Sequence, residues 1–299
     1  MLQTSDASDR LIEWLGATQA PASVWDEVLG GKGASLERLL RLGAPTPAGF
    51  CVTTTAFRQQ LAFGPQADAV ARAIAALPDE DARADLVRRL TDTPLEPGLS
   101  AELDGAVGRL ADANGGDAAR FAVRSSAVGE DSQLASFAGI HETELELTSE
   151  CVQDALRRCW ASLWSQRAVQ YRESRGLPMD GAMAVVIQQL VPAEAAAVVF
   201  TRHPVTQRDD QLLVNVVHGL GESLVSGTET PDELVLDKAT LDCVSTVPAG
   251  DHPVLADAEL RELGSLALRL EEAFACAIDI EAALAGGRWH VLQARPITA

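Results

Sequence analysis

Lysine is rare in this chain, and one of its two lysines lies among glycines. The 299 residues include 24 basic side chains, of which only Lys32 and Lys238 are lysines. Lys32 lies in the segment Gly-Gly-Lys-Gly-Ala-Ser at residues 30–35, which opens a predicted helix that ends at Gly43. Backbone N–H groups at a helix start suit a phosphate, and an ammonium group strengthens such a site. The spacing is not that of a P-loop, and a purely structural helix start fits the segment equally well.

A predicted β-hairpin at residues 278–296 carries a second set of polar side chains. Its register depends on the length of its turn. A two-residue turn at Gly286 and Gly287 would place Glu281 and Gln293 on opposite faces of the hairpin. A three-residue loop over residues 286–288 would instead set Glu281 directly opposite Gln293.

The second register would create a site for a metal and an anion. It also places Asp279 opposite Arg295. A carboxylate beside an amide oxygen suits Mg²⁺, and the neighbouring Arg295 guanidinium suits the anion that Mg²⁺ bridges. A surface hairpin with an ordinary salt bridge is the alternative interpretation of the same residues.

Arg124 is a third candidate, because it follows a predicted strand at residues 121–123 and precedes two serines. The small residues at 135–139 form a loop that is suited to covering phosphates. An ordinary turn is an equally good interpretation of that loop.

The elements that must position these residues change character along the chain. Up to about residue 115 the pattern is mostly helical, with a strand at 49–52, and a single long helix is predicted over about 150–174. Beyond residue 178 the pattern predicts strands at 183–190, 196–200, 212–217 and 234–236, and then a helix at about 255–274. We therefore predict an N-terminal subdomain at residues 1–180 and a C-terminal subdomain at residues 181–299.

Composition excludes several classes of partner. A formal charge of −19 argues against nucleic acid and anionic membranes. The five cysteines show no Cys-x-x-Cys spacing and are predicted to be reduced core residues. The chain starts without a secretory signal pattern and has no apolar run of about 18 residues, so a cytoplasmic location is expected.

Nine segments taken together resemble a known family. The chain closely resembles the ATP-binding domain of the pyruvate phosphate dikinase and phosphoenolpyruvate synthase family, whose fold is ATP-grasp, an α/β fold in which two subdomains clamp Mg·ATP. The likeness extends in order from about Gly30 to the last residue, through GGKGAS, PTPAGFCVT, FAVRSSAVGED, ASFAG, CWASLWSQRAVQYR, VFTRHPVT, GLGESLVSG, TPDELVLD and IDIEAAL with VLQARPIT.

The resemblance implies roles for individual residues. The phosphates of ATP would be held by three catalytic cations, Lys32, Arg124 and Arg295. The metal ligands for Mg²⁺ would be Glu281 and Gln293. A loop from Ser136 to Gly139 would cover the phosphates. The adenine would meet the segment that contains Gln188, Gln189 and Val191, and the ribose would meet Glu194.

The implied activity is an ATP-dependent phosphoryl transfer that leaves AMP and phosphate. Family enzymes continue into a swivelling domain whose histidine carries the phosphoryl group, and this chain stops at Ala299 without such a motif. The expectation is therefore an ATP-cleaving domain that passes the phosphoryl group to a histidine carrier supplied in trans. A direct small-molecule kinase that releases ADP and a non-catalytic ATP-binding subunit stay open as alternatives.

Overall fold

The computed structural model describes residues 9–64, 67–77, 79–129, 131–132, 135–136, 143–177, 179, 181–251 and 253–297. The chain divides into two units. The first comprises residues 1–37 and 48–190, and the second comprises residues 38–47 and 191–299.

Strands and helices alternate in an irregular order along the chain. The strands are β1 (Ile12–Trp14), β2 (Gly49–Val52), β3 (Phe121–Ala127), β4 (Asp131–Ser132), β5 (Ala135–Ser136), β6 (Thr143–Leu147), β7 (Met183–Gln189), β8 (Ala195–Phe200), β9 (Gln211–His218), β10 (Asp232–Asp237), β11 (Cys243–Val247), β12 (Ile278–Ala285) and β13 (Arg288–Pro296). The α-helices are α1 (Trp25–Arg41), α2 (Thr54–Leu61), α3 (Ala67–Ala75), α4 (Glu80–Asp92), α5 (Pro97–Asp112), α6 (Val152–Ser162), α7 (Gln166–Arg175), α8 (Glu222–Ser226) and α9 (Asp257–Phe274). Short 3₁₀ turns lie at Ala22–Val24, Gly116–Ala118 and Ser149–Cys151.

The first unit is built on a five-stranded antiparallel sheet in the order β1-β2-β7-β3-β6. Side chains alternate between the two faces of a strand, so each face has its own composition. One face carries the apolar residues Phe50, Phe121, Val123 and Ile187, which join the helices in a single core. Trp160 is also in this core, and its ring is tilted by 57° against that of Phe57, with the ring centroids 5.8 Å apart. The opposite face carries polar side chains and holds the start of α1.

The second unit is built on a six-stranded antiparallel sheet in the order β11-β10-β9-β8-β12-β13. The long helix α9 covers one face. A Cβ placed on Gly264 of this helix would lie 3.4 Å from Leu236 and 3.5 Å from Leu212. Lys238 joins the same layer, because its Nζ contacts both carboxylate oxygens of Glu271 at 2.7 Å. The other face of the sheet is therefore available to polar side chains.

Several sequence predictions agree with these elements and others do not. The α/β class, the strand at 49–52 and the four strands after residue 180 are confirmed. The strand predicted at 121–123 continues to Ala127, because Ser125 and Ser126 go on pairing with β7. The single helix predicted over 150–174 is wrong. The chain breaks between α6 and α7, where the Ser165 side chain caps the second helix through Ala168 N at 3.2 Å.

The boundary between the units also differs from the predicted one. The prediction placed it near residue 180, which would assign β7 to the C-terminal part. Strand β7 instead lies between β2 and β3 in the sheet of the first unit. The two buried cysteines, Cys51 and Cys159, fit the prediction of core residues, whereas the other three are exposed: Cys151, Cys243 and Cys276. Among the described residues, no helix combines the length and apolar character needed to span a bilayer.

Candidate functional site

The first candidate region is a break inside α1 at Gly30. Gly30 has φ 69° and ψ 177°, so a first helical segment ends there and a second begins at Gly31. A Cβ on Gly30 would lie 2.0 Å from the carbonyl oxygen of Ser126, which no side chain could accept. The break leaves Lys32 in the first turn of the second segment. The N–H groups of such a turn have no partner inside the helix and lie at the positive end of the helix dipole, and both features favour an anion.

Ser126 holds this break in place. Ending one helical segment and starting another leaves carbonyl and N–H groups without partners inside the helix. The Ser126 hydroxyl donates to the carbonyl of Leu29 at 2.7 Å and accepts from the N–H of Gly33 at 3.0 Å. The buried Cys51 thiol also faces the Leu29 carbonyl, and burial raises the pKa of that thiol. Sequence reasoning noted Ser126 only as a neighbour of Arg124 and missed this role.

Arg124 lies on the same face of the sheet as Ser126, since the two are separated by one residue in β3. Pairing with β7 places Arg124 opposite Val186 and Ala122 opposite Gln188. Gln188 therefore shares this face with Arg124. The first unit thus gathers Lys32, Arg124 and Gln188 on one side of its sheet. Arg124 and Lys32 are both half-buried residues.

The segment predicted to meet adenine extends across the boundary between the units. Gln188 is 2% exposed and pairs with Gly49 of β2. Gln189 donates its backbone N–H to Ala48 O at 2.9 Å. Val191 is buried and belongs to the second unit. Their role toward adenine stays a prediction.

The covering loop predicted at Ser136 to Gly139 is described only in part. Ser136 forms β5 with Ala135, and its backbone pairs with Asp131 of β4. Gly139 lies outside the described residues. The role of this loop stays a prediction.

The hairpin of β12 and β13 forms the second candidate region. Its turn has two residues, since Ala285 pairs directly with Arg288 and both intervening glycines have positive φ. Sequence reasoning associated that turn with a separation of Glu281 from Gln293. The structure nevertheless pairs Glu281 with Gln293, because a β-bulge at Leu292 shifts the register by one residue. The predicted pairing is confirmed, and the three-residue loop offered for it is wrong.

Arg295 follows in the same register and faces Asp279. Its Nε lies 2.9 and 2.8 Å from the two carboxylate oxygens of Asp279. Burial raises the pKa of Asp279, and the Arg295 guanidinium opposes that shift in part. The Arg295 guanidinium thus shares one face of the hairpin with the Glu281 carboxylate and the Gln293 amide. All four side chains lie on the face of the sheet opposite α9: Asp279, Glu281, Gln293 and Arg295.

Glu194 has a structural contact that sequence reasoning did not foresee. Its carboxylate accepts a hydrogen bond from the N–H of Gly286 at 2.9 Å. Its backbone N–H donates to Leu284 O at 2.8 Å. Glu194 therefore supports the turn of the hairpin that carries Glu281 and Gln293.

The residues of the hairpin fit Mg²⁺ by their chemistry. Within the ranges that the structure describes, no group of three or more His, Cys, Asp or Glu side chains could hold a metal ion. Glu281 and Gln293 instead offer a pair of hard oxygen ligands side by side. In nucleotide sites Mg²⁺ is held by one or two carboxylates together with phosphate oxygens and water. The pair matches the protein's share of such a site.

Comparisons with known proteins cover most of the chain. The family model for the pyruvate phosphate dikinase AMP/ATP-binding domain matches residues 26–252. A probable phosphoenolpyruvate synthase from Methanocaldococcus jannaschii is 33% identical over 91% of this chain and 26% of its own length. A rifampicin phosphotransferase from Streptomyces sviceus is 36% identical over 91% of this chain and 34% of its own length. The phosphoenolpyruvate synthase of Aeropyrum pernix is 31% identical over 97% of this chain and 42% of its own length.

The chain thus spans between about a quarter and less than half of these relatives. Among solved structures, D-alanine-D-alanine ligase from Helicobacter pylori matches 92% of this chain and 55% of its own, with a TM-score of 0.37 and 11% identity. That likeness is too distant to support an inference. The family match covers well over half of the residues, and the chain therefore belongs to the family of pyruvate phosphate dikinase AMP/ATP-binding domains.

Proposed function

We propose that this chain binds Mg·ATP, cleaves it, and passes a phosphoryl group to a histidine on another domain or chain. The β-phosphorus forms a bond to an imidazole nitrogen while its bond to the oxygen shared with the α-phosphate breaks, and AMP leaves. The imidazole N–H proton is released to solvent. Water or inorganic phosphate then accepts the γ-phosphoryl group, and a phosphohistidine remains. Because ATP is a cytoplasmic metabolite, we place this activity in the cytoplasm.

The observation that carries the proposal is the bulge at Leu292. It brings Glu281 and Gln293 into register in a hairpin whose two-residue turn would otherwise separate them. Bulges re-aim side chains next to functional sites. Here the side chains that are re-aimed are a carboxylate and an amide, with Arg295 two residues further along. Such a device has a clear purpose if these groups hold a metal and a phosphate.

Each charged group then has a defined task. Glu281 and Gln293 would hold Mg²⁺, which supplies charge neutralisation to the polyphosphate when bound. Lys32 and the N–H groups after Gly30 would bind phosphate oxygens in the first unit. Arg124 and Arg295 would offset the remaining negative charge. Positioning and electrostatics are the main contributions that a protein makes to phosphoryl transfer.

Cations at these positions matter more here than in a neutral protein. The chain carries a formal charge of −19, which repels a polyanion at long range. Local cations and a divalent metal must overcome that repulsion. The adenine role of Gln188, Gln189 and Val191 rests on the family resemblance alone. The same holds for Glu194, whose carboxylate is anchored by Gly286 N and would meet the ribose through its second oxygen.

The test is product analysis by ³¹P NMR on the full chain with Mg·ATP. The chain is incubated alone and with a histidine-domain protein from a relative. We expect AMP and phosphate when the histidine domain is present. Production of ADP would replace the proposal with a direct kinase, and binding without turnover would replace it with a non-catalytic subunit.

Variants assign the activity to the proposed groups. Lys32→Ala and Glu281→Ala should each abolish AMP formation while the circular dichroism spectrum is retained. Lys238→Ala is the matched control, because it removes the only other lysine, which is paired with Glu271 on the α9 side of the sheet. It should leave AMP formation unchanged. Normal turnover by the Lys32 or Glu281 variant would refute the assignment.

A further inference from the structure

Strand β9 contains one polar residue in its middle. Its sequence is QLLVNVVH, and Asn215 lies between apolar residues on both sides. Leu212, Val214 and Val216 are fully buried on the α9 side, whereas Asn215 is half-buried. Asparagine is disfavoured in strands, so its place here is not explained by strand propensity. In the part of the chain that the structure describes, the Asn215 amide makes no hydrogen bond to another side chain or to the backbone.

The register shows which face Asn215 occupies. Asn215 pairs with Val198 of β8, Val198 pairs with Glu281 of β12, and Glu281 pairs with Gln293 of β13. Directly paired residues point to the same face of a sheet. Asn215 therefore lies in one row with the candidate metal ligands, on the face opposite α9. Two strand spacings place its Cα roughly 10 Å from that of Glu281.

Along this row, only the short apolar side chain of Val198 lies between Asn215 and Glu281. The Val198 side chain cannot hydrogen-bond. Val198 is half-buried, as are Asn215 and Glu281 on the adjacent strands. A group that is bound to a metal at Glu281 and extends along the row would cross Val198 and reach the Asn215 amide. A polyphosphate chain has that extended form, and its oxygens accept hydrogen bonds. The amide offers two N–H donors, which suit a phosphoryl oxygen.

We propose that Asn215 donates a hydrogen bond to a phosphoryl oxygen of the nucleotide whose metal is held by Glu281 and Gln293. This rests on the proposed function, since it assigns a further binding residue to the same Mg·ATP site. The contact requires the donor side of the amide. A role as a third metal ligand would instead require its carbonyl oxygen.

A phosphate contact and a metal contact of the Asn215 amide predict opposite effects of an aspartate at this position. Asn215→Leu keeps the size of the side chain and removes all hydrogen bonding. Asn215→Asp keeps the shape, removes the donors and adds a negative charge. A phosphate contact should be harmed more by the aspartate than by the leucine, whereas a metal contact should be improved by the aspartate.

Affinity for Mg·ATP is measured by calorimetry, affinity for Mn²⁺ alone by electron paramagnetic resonance, and folding by thermal melting without ligand. We expect Asn215→Leu to weaken Mg·ATP binding about tenfold, as the loss of one hydrogen bond to a charged group implies. We expect Asn215→Asp to weaken it by more than tenfold while Mn²⁺ alone binds at least as well as before. If the aspartate variant does not fold, the leucine variant decides the matter, because loss of a phosphate contact leaves the affinity for Mn²⁺ alone unchanged, whereas loss of a metal ligand weakens it.

Glu233→Gln is the matched control. Glu233 pairs with Asn215 on the next strand, lies on the same face and is exposed. It should not weaken Mg·ATP binding, because it removes a negative charge beside the proposed phosphate contact and leaves the Asn215 amide unchanged. Wild-type affinity in Asn215→Leu, or tighter Mg·ATP binding in Asn215→Asp, would overturn this proposal and leave the proposed function standing. Failure of the unaltered chain to bind Mg·ATP would overturn it together with the proposed function.

Discussion

The two candidate regions are built in opposite ways. The break at Gly30 depends on Ser126, whose hydroxyl bonds to residues 97 and 93 positions away in sequence. The hairpin of β12 and β13 depends on two consecutive strands joined by a two-residue turn. Gly30 is required for space as well as for its positive φ. Gly286 and Gly287 are required for φ alone, because a Cβ on either would meet nothing within 4 Å.

This difference separates tertiary from local control of a site. The break at Gly30 exists only when β3 is packed against α1, so its geometry depends on the folding of the whole first unit. The pairing of Glu281 with Gln293 is defined by a ladder of short-range pairings and one bulge. A change that disturbs packing should therefore affect the first region, and a change that shifts register should affect the second.

Gly30→Ala is expected to have the largest effect. Its Cβ would overlap the Ser126 carbonyl oxygen at 2.0 Å, and backbone atoms cannot move aside as a flexible side chain can. We expect a loss of more than about 4 kcal/mol in the free energy of unfolding, because overpacking adds to the strain of a backbone conformation that essentially only glycine adopts. Urea unfolding monitored by tryptophan fluorescence measures it.

Gly43→Ala is the control for backbone strain. Gly43 has φ 74°, close to the 69° of Gly30, and a Cβ there would meet nothing within 4 Å. It should cost about 1 kcal/mol from the left-handed conformation alone. Equal losses in the two variants would show that the close approach of Ser126 to Gly30 does not control stability.

Two single-residue deletions in β13 should differ in their effect on the hairpin. Deleting Ala294 would move Arg295 opposite Ile280, on the buried face that α9 covers. Placing an unpaired guanidinium there should cost about 3–5 kcal/mol and abolish Mg·ATP binding. Deleting Leu292 should instead remove the bulge and still leave Gln293 opposite Glu281, because Leu292 is the residue without a partner in the ladder.

Binding of Mg·ATP by each deletion variant is measured by calorimetry, together with thermal melting. We expect the variant without Leu292 to bind within about threefold of the unaltered chain, since one shifted contact is worth less than 1 kcal/mol. If both deletions abolish binding, the bulge has a role beyond setting the register. If both are tolerated, Mg·ATP binding does not need Arg295 at its place opposite Asp279.

Sequence patterns predicted the hairpin better than they predicted the break in α1. Alternation and the glycine turn were enough to identify two registers, and the structure has the first beside the turn and the second beyond the bulge. The bulge that produces it could not be foreseen, because Leu292 is an ordinary strand residue whose irregularity depends on its neighbours. The glycine segment at 30–35 correctly indicated a helix start. The close approach of a β3 carbonyl to Gly30 is a tertiary contact, and no local sequence pattern indicates it.

The misjudged helix and cysteines have similar explanations. The residues from 150 to 174 keep a helical pattern, and Ser165 caps a second helix in a place that periodicity alone does not reveal. Cysteine is on average a buried residue, but the exposure of Cys151, Cys243 and Cys276 depends on where each element lies in its unit. Local patterns predict which elements form, and their packing decides what each side chain contacts.

The smallest expected effects come from two neighbouring serines on opposite faces of β3. Ser126→Ala removes a donor and an acceptor at once, which leaves the Leu29 carbonyl and the Gly33 N–H buried without Ser126. It should lower the free energy of unfolding by about 2–3 kcal/mol. Ser125 is equally buried, and in the described part of the structure its hydroxyl has no hydrogen-bond partner. Ser125→Ala should therefore be neutral or stabilise by up to about 1 kcal/mol.

Urea unfolding of both variants, side by side, tests whether long-range hydrogen bonding holds the turn after Gly30. The two substitutions are chemically identical and one residue apart, so differences in helix or strand propensity and in the unfolded state cancel. Mg·ATP affinity should fall in Ser126→Ala, because the N–H groups after Gly30 lose their fixed direction, and should be unchanged in Ser125→Ala. Equal stability of the two variants would mean that packing against Gly30, and not the serine hydroxyl, defines the turn.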